Sequence, residues 1–553
     1  SIAAGQQVAV MEAMKMEFVV KAERSGIVRV LACSPGDNLF EGNPLLFLEP
    51  AEVEGGEALN EEQVDIAHIR ADLAELLELH ANLTDERRSD AVAKRRKTGQ
   101  RTARENLTDL LDEGSFMEYG GLALAAQRTR RSHEDLLKMS PADGLITGIG
   151  TVNAELFGAE TARCMAMSYD YTVFAGTQGA MNHKKTDRML ELAEQWRLPL
   201  VFFTEGGGGR PGDIDKVGVA GLDCTTFMRM ARLSGQVPLV GVVSGRCFAG
   251  NAALLGCCDV IIATENATVG MAGPAMIEGG GLGSYTPEQV GPVSMHGPNG
   301  VIDVLVKDEA EATRAAKQYL AYFQGDLPSG DCADQRALRH LIPENRLRVY
   351  DIREVIETLA DTGSVLELRR QFAPGLITAL IRINGKVFGL PMVSLCDTPG
   401  FMVGPDSERQ ATVRHVSRMF VTAASLKVPF FTVVLRKGYG LGAQAMAAGS
   451  FMAPMFTIGW PSSEFGAMGL EGAVRLGYAK ELAAIEDESE RQAQFDKLVA
   501  ELYRRGKGVS MASFLEIDAV IDPMETRDWL LRGLSSAPPE SLTKGTRPFV
   551  DTW

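Results

Sequence analysis

The 553-residue sequence predicts an α/β protein: two similar α/β units, preceded by a partial all-β segment and a helical linker. Three observations carry that reading. First, two strand–turn–helix series recur at matched spacing. Leu198-Pro199-Leu200-Val201-Phe202-Phe203 runs into Gly206-Gly207-Gly208-Gly209, and Val237-Pro238-Leu239-Val240-Gly241-Val242-Val243 runs toward Arg246. Later, Leu390-Pro391-Met392-Val393-Ser394-Leu395 runs into Pro399-Gly400, and Val428-Pro429-Phe430-Phe431-Thr432-Val433-Val434 runs into Arg436. The paired prolines stand 39 residues apart in the first series and 38 in the second. A repeated supersecondary unit of this size argues for two homologous domains. Second, Gly26-Ile27-Val28-Arg29-Val30 alternates as a half-buried strand does. Third, Val64, Ile69, Leu73, Leu76, Leu77 and Leu83 recur at helical spacing between the two regions.

The all-β segment covers residues 1–50. Gly36-Asp37 is a turn pair, and Leu45-Leu46-Phe47-Leu48 closes the segment as another strand. Met11-Glu12-Ala13-Met14-Lys15-Met16 fits a hairpin tip, with Lys15 in solvent between two apolar neighbours. Only 14 residues precede Lys15, room for one or two strands. The chain thus reads as lacking the first half of this segment. Residues 51–100 are a linker with helices. The run Arg87, Arg88, Lys94, Arg95, Arg96, Lys97, Arg101 and Arg104 is either a solvated face or a contact for the phosphates of a nucleotide-like ligand.

The two repeated units are expected at 101–340 and 341–553. One spacing departs from the repeat. Arg382–Gly389 reads as a hairpin ending in a strand and runs directly into Met392-Val393-Ser394-Leu395. The first unit has Asp170 to Trp196 at the corresponding point. A parallel crossover needs a dozen or more residues. A crossover of about thirty to forty residues is therefore expected to be missing near Gly389–Pro391.

Composition narrows the function. A formal net charge of −16 argues against nucleic acid as a partner. The longest apolar runs, such as Val428 to Leu435, are too short to span a membrane. The eight cysteines form no CxxC pair and no disulfide-like framework, which fits free thiols in a reducing cytoplasm. The seven histidines show no ligand spacing, so no metal site is expected. No Ser/His/Asp set or carboxylate pair stands out. The distinctive residues are glycines at strand ends: Gly206–Gly209 with Arg210, and Gly438-Tyr439-Gly440-Leu441-Gly442-Ala443. Backbone N–H groups at such turns can hold an oxyanion. A lone GxG is weak; two at corresponding places in duplicated units are more specific.

These motifs together resemble a known family. The stretch around Lys15 matches the attachment motif of biotin carrier domains. Residues from about Arg101 to Trp529 resemble the carboxyltransferase of biotin-dependent acyl-CoA carboxylases, made of two crotonase-like domains of ββα superhelix type. The matching residues are Gly114-Ser115-Phe116-Met117-Glu118, Ala142-Asp143-Gly144, Ser244–Gly250, Asp397-Thr398-Pro399-Gly400-Phe401, Met468–Ala473 and Val520-Ile521-Asp522-Pro523. Carrier and transferase on one chain is the layout of single-chain, multidomain enzymes, long-chain acyl-CoA carboxylases among them. The resemblance implies biotin on Lys15, attached by biotin protein ligase, and a coenzyme A thioester as substrate. ATP and Mg would be used only at an upstream or separate biotin carboxylase domain. By the same resemblance, the amides of Gly207 and Gly208 would hold the thioester oxyanion, and those of Leu441 and Gly442 the biotin ureido oxygen. Gln444 aligns with a position near the acyl pocket that affects chain-length choice. The family assembles as homohexamers in which two protomers share each site. The sequence departs from common relatives in Gly206–Pro211, in Leu441, where they have glycine, and in the missing crossover. Alternatives are a biotin-dependent acyl-CoA decarboxylase, a non-catalytic assembly module, and a crotonase-type hydratase or hydrolase needing carboxylates beside the turns. Glu205 and Asp397 lie near them without an assigned role.

Overall fold

The computed structural model describes residues 1–53, 66–215, 224–388, 391–409, 411–426 and 428–537. It divides into two compact units, Ser1–Glu78 and Leu79–Trp553.

The first unit carries two antiparallel strand pairs. β1 (Gln7–Ala13) pairs with β2 (Met16–Lys21), and β3 (Gly26–Leu31) pairs with β4 (Leu46–Pro50). Met14 and Lys15 alone separate β1 from β2, and both have positive φ, 52° and 62°. That is the primed two-residue turn whose twist matches its flanking strands. Pro35-Gly36 forms the expected turn: Gly36 has φ 96°, and the Ser34 amide donates to Asp37 Oδ2 at 2.8 Å.

Helix α1 (Ala71–Ala81) occupies part of the helical pattern expected from 61 to 83; residues 61–65 lie outside the described residues. The basic run that follows is not simply a solvated face. It forms α2 (Ser89–Arg96), within the second unit, and Arg95 is buried. Next comes α3 (Ala103–Leu110), started by a reciprocal cap between Thr102 and Glu105.

The first copy is a seven-stranded sheet. Its strands are β5 (Met117–Glu118), β6 (Leu145–Thr151), β7 (Arg163–Tyr169), β8 (Leu200–Phe203), β9 (Leu239–Val243), β11 (Val260–Thr264) and β13 (Val304–Val306). Spatial order is β13-β11-β9-β8-β7-β6-β5, parallel from β7 to β13 and antiparallel beyond. β10 (Arg246–Phe248) and β12 (Thr268–Gly270) form a small parallel pair. Every residue of β8 and β9 is buried, as parallel strands covered on both faces must be. Val201, Phe203, Val240 and Val242 face α3 and α7 (Glu309–Ala321) through Leu107, Leu110, Ala312 and Leu320. Leu200, Phe202 and Leu239 face α4 (Ala180–Trp196) and α5 (Thr226–Leu233) through Met189, Leu190, Met230 and Leu233. A short helix, α6 (Gly250–Gly256), follows β10.

The second copy repeats the plan with a break. β14 (Leu366–Leu368), β15 (Thr378–Ile383) and β16 (Lys386–Phe388) form one antiparallel sheet. β17 (Met392–Thr398), β18 (Phe430–Tyr439), β19 (Phe456–Gly459) and β21 (Ala519–Val520) form a separate parallel sheet, with β20 (Glu464–Gly466) paired to β18. By the repeat, β16 corresponds to β7 and β17 to β8, which are parallel neighbours in the first copy. Phe388 and Met392 are too close in the chain for β16 and β17 to pair in parallel, so the sheet splits. The crossover expected near Gly389–Pro391 falls where positions 389 and 390 lie outside the described residues. α8 (Thr412–Ala424) buries none of its residues. Its counterpart α5 buries Thr226, Met230 and Leu233 beside α4.

Candidate functional site

In the first copy, β8 delivers Thr204 and Glu205 to the run Gly206–Gly209. The run lies alongside β10: the Gly206 amide donates to Arg246 O at 2.8 Å, and the Phe248 amide donates to Gly206 O at 2.9 Å. Gly208 has φ 89°, a conformation that favours glycine, and a Cβ there would lie 2.8 Å from Ala249 Cβ. The residues framing the run are strained. Ala142, Asp143, Phe174, Ala175 and Ala249 all have φ between 47° and 53°. Side chains rarely adopt that conformation, and such strain gathers at working sites.

A buried ion pair stands at each end of the run. After it, Arg210 bonds the Asp143 carboxylate and also donates to Thr177 O at 2.7 Å. Before it, Arg95 grips Glu205 with both arms of its fork, one at 2.9 Å; the side chains are 7% and 9% exposed. Burial pushes the Glu205 carboxyl above its ordinary range, and the Arg95 guanidinium opposes that rise. Gln100, Ser244 and Glu309 extend the network beneath the run.

The amides expected to hold an oxygen are engaged. Gly207 N–H donates to Ala175 O and Gly208 N–H to Asn251 Oδ1, each at 3.0 Å. Asn251 is fully buried and also donates to Gly176 O at 3.2 Å. For the Gly208 amide to take a substrate oxygen, that oxygen must displace Asn251 Oδ1. The adjacent Gly209 amide has no hydrogen-bond partner among the described residues.

In the second copy, β18 passes through Arg436 to Tyr439 and enters α9 (Gly440–Met446). Leu441 and Gly442 lie in its first turn, where amides have no acceptor inside the helix. The Leu441 side chain is 61% exposed, while Gly442 is buried against Gly400. Gln444 is exposed on α9. Asp397, one residue from the end of β17, accepts from Arg436 Nε at 3.0 Å, the Lys437 amide at 3.0 Å and the Tyr350 hydroxyl at 2.7 Å. The partners of Glu205 and Asp397 escape a sequence reading because Arg95 is 110 residues from Glu205 and Arg436 is 39 from Asp397.

In the first unit, Lys15 is exposed at the tip of its hairpin, between Met14 and Met16, which are 94% and 57% exposed. This suits biotin: a ligase can reach the amine, and two thioether side chains are free to lie against a ring. Among the described residues no cluster of His, Cys, Asp and Glu could hold a metal ion, and no helix is long and apolar enough to cross a membrane. All eight cysteines are unpaired.

Residues 94–390 and 386–546 match the carboxyl transferase domain family, and residues 1–48 match the biotin-requiring enzyme family. The chain belongs to the carboxyl transferase family. This carboxyltransferase is 30% identical to the methylmalonyl-CoA carboxyltransferase 12S subunit of Propionibacterium freudenreichii subsp. shermanii, over 83% of this chain and 92% of that one. A solved single-chain, multi-domain long-chain acyl-CoA carboxylase superposes with TM-score 0.80 at 51% identity, covering 96% of this carboxyltransferase and 54% of that chain. It thus spans about half of that enzyme. The transcarboxylase 12S structure, a hexamer with methylmalonyl-coenzyme A bound, superposes with TM-score 0.73 at 27% identity, covering 88% of this chain and all of that one. The two-copy α/β plan with a biotinyl segment ahead of it is therefore the family's own, as the motifs implied.

Proposed function

We propose that the chain is the carrier and carboxyltransferase part of a biotin-dependent acyl-CoA carboxylase, moving a carboxyl group to the α-carbon of an acyl-CoA. The observation that carries this is the joining of Lys15, on a tight exposed turn, to a duplicated transferase with a glycine turn in each copy. Biotin attached to Lys15 supplies the carboxyl group and the base for the α-proton, so no side-chain base is needed. The chain supplies position and charge stabilisation. In the first copy the Gly206–Gly209 run holds the thioester oxygen, through the Gly208 amide as Asn251 gives way. In the second copy the amides of Leu441 and Gly442 hold the ureido oxygen. Gln444 borders the acyl pocket and bears on chain-length choice.

The domains run 1–50, 51–100, 101–340 and 341–553, and the second copy lacks the crossover between β16 and β17. The split of the sheet supports this, as does the double family match that meets at 386–390. The partners are a biotin carboxylase domain using ATP and Mg, biotin protein ligase, and further copies of the chain in a hexamer. The unpaired cysteines fit a cytoplasmic setting. The test is carboxyl transfer in reverse, from a carboxylated acyl-CoA to free biotin, by the purified chain. Transfer above background is expected; none, from a folded, assembled chain, overturns the assignment.

A further inference from the structure

We infer that Arg95–Glu205 and Arg436–Asp397 are equivalent positioning pairs, each fixing the glycine turn of one copy for carboxyl transfer, so that α2 is part of the first copy's site. The inference rests on the reading that those turns hold the reacting oxygens.

The repeat supplies the argument. Glu205 follows Pro199 by six residues, and Asp397 follows Pro391 by six. Both carboxylates thus stand at the same point of the same strand, just before the turn. Each meets a guanidinium out of water, yet the two arginines come from different elements. In the second copy Arg436 stands seven residues after Pro429 and donates to Asp397 from the adjacent strand. Seven residues after Pro238 the first copy has Gly245, with φ 85°. A Cβ at Gly245 would run into Glu205 Oε1, so no side chain can come from that position. The cation arrives instead from α2, where Arg95 also donates to Arg101 O at 2.8 Å and to Gln100 Oε1 at 3.1 Å. One fold has filled the same charge position by two routes. What the copies share is the pair; it adjoins the glycine turn through Glu205 in the first copy, and in the second through Arg436, which stands on β18 four residues before Gly440.

The mechanical link is short in both. Glu205 is bonded directly to Gly206, whose amide and carbonyl are pinned to β10. Asp397 accepts from the Lys437 amide, two residues before the Tyr439 cap of α9, and Arg436 itself donates to Arg346 O and Arg348 O at 3.1 and 2.9 Å. A buried ion pair held by several hydrogen bonds, bidentate at Arg95–Glu205 and shared with the Lys437 amide at Arg436–Asp397, has one geometry, so it sets where the adjoining peptide planes point. Removing one partner leaves the other charge buried and free to draw the turn out of line.

The experiment uses the whole chain with Arg95→Met, Arg95→Lys, Glu205→Gln and Asp397→Asn, each checked by thermal melting. Two rates are read. One is transfer from a carboxylated acyl-CoA to free biotin, with KM for both substrates. The other is decarboxylation of the carboxylated acyl-CoA without biotin. There the bond from the α-carbon to the carboxylate breaks, its electron pair moves onto the thioester oxygen, and the α-carbon then takes a proton from water. That rate reports on the first copy's turn. We expect Arg95→Met and Glu205→Gln to lower it, and transfer with it, about 10- to 100-fold, with KM for biotin within about twofold. Arg95→Lys regains part of the rate, since lysine keeps the charge but loses the fork. Asp397→Asn instead raises KM for biotin. Should Arg95→Met fail to fold, the isosteric Glu205→Gln decides. Rates that stay at the parent's value, or that fall only in step with melting temperature, overturn the inference. Gly208→Pro separates the underlying reading. If it leaves both rates intact, the turn's role fails; if it abolishes them while the pair variants do not, only the positioning role fails.

Discussion

Gly442→Ala tests the second copy's turn with one carbon atom. Gly442 is buried in the first turn of α9, and a Cβ there would lie 2.8 Å from Gly400 Cα, 3.0 Å from its carbonyl carbon and 3.3 Å from the Phe401 amide nitrogen. All three neighbours are backbone, so no side chain can swing aside. The helix start and the Gly400 turn must separate by about 0.5–1 Å, which as overpacking costs about 1–3 kcal/mol. The better helix propensity of alanine returns up to about 1 kcal/mol, leaving a net destabilisation of about 0–3 kcal/mol. The catalytic effect is larger. The Leu441 and Gly442 amides move with the helix, and a misplacement near 1 Å can cost about 100-fold in rate. The assay is transfer to free biotin at saturating acyl-CoA, beside a urea melt. Gly477→Ala is the control, because a Cβ there meets nothing within 4 Å; also helical, it should equal the parent in stability or exceed it by up to about 1 kcal/mol. A folded Gly442→Ala chain transferring at the parent's rate would refute the reasoning.

Lys15→Arg is expected to abolish labelling by biotin ligase, read as streptavidin binding, without changing the urea melt of the transferase unit; residual labelling would place biotin elsewhere. Lys185 makes stability depend on pH. Burial lowers its amine to about 8 from an ordinary 10.5, and it donates to Ala142 O at 3.0 Å. Between those values the unfolded chain binds the extra proton, so stability should rise with pH across that window and carry the full penalty below about 8. Urea melts of the parent and Lys185→Met should diverge by up to about 3 kcal/mol over the window, in the parent's favour at the alkaline end; parallel curves would contradict the burial argument. Mixing a Gly208→Pro chain with a Gly442→Pro chain should restore some activity if two protomers share each site. No complementation, with subunit mixing verified, would confine the site to one chain.

Features local in sequence were legible in it. The Lys15 hairpin tip, the buried runs of β8 and β9 and the duplicated spacing of Pro199 and Pro391 all depend on neighbours a few residues away or on a repeat that can be counted. The glycine turns were legible as places but not as hydrogen-bond states. Nothing near Gly208 in sequence announces that Asn251, 43 residues on, already occupies its amide. In sequence Arg95 is one member of a basic run, because its partner is brought to it by tertiary folding alone. Glu205 and Asp397 show in sequence only that they adjoin strand-end turns, since a carboxylate's role is set by the cation it meets. The exposed face of α8 follows from a comparison of copies: α5 shows what a helix there packs against, and no counterpart of α4 lies between β16 and β17.

The split between β16 and β17 also leaves a strand border. Among the described residues β17 ends its sheet, bonded to β18 on one side only, whereas β8 has neighbours on both. A border strand presents unpaired N–H and C=O groups and can template another chain. Met392 and Val393 put apolar side chains, exposed and half-buried, along that border, and Pro391 just before it lacks an N–H to donate. Self-association through this border is the expected outcome, and it should ease when a segment long enough for a crossover joins Phe388 to Met392 and lets β16 pair with β17 as β7 pairs with β8.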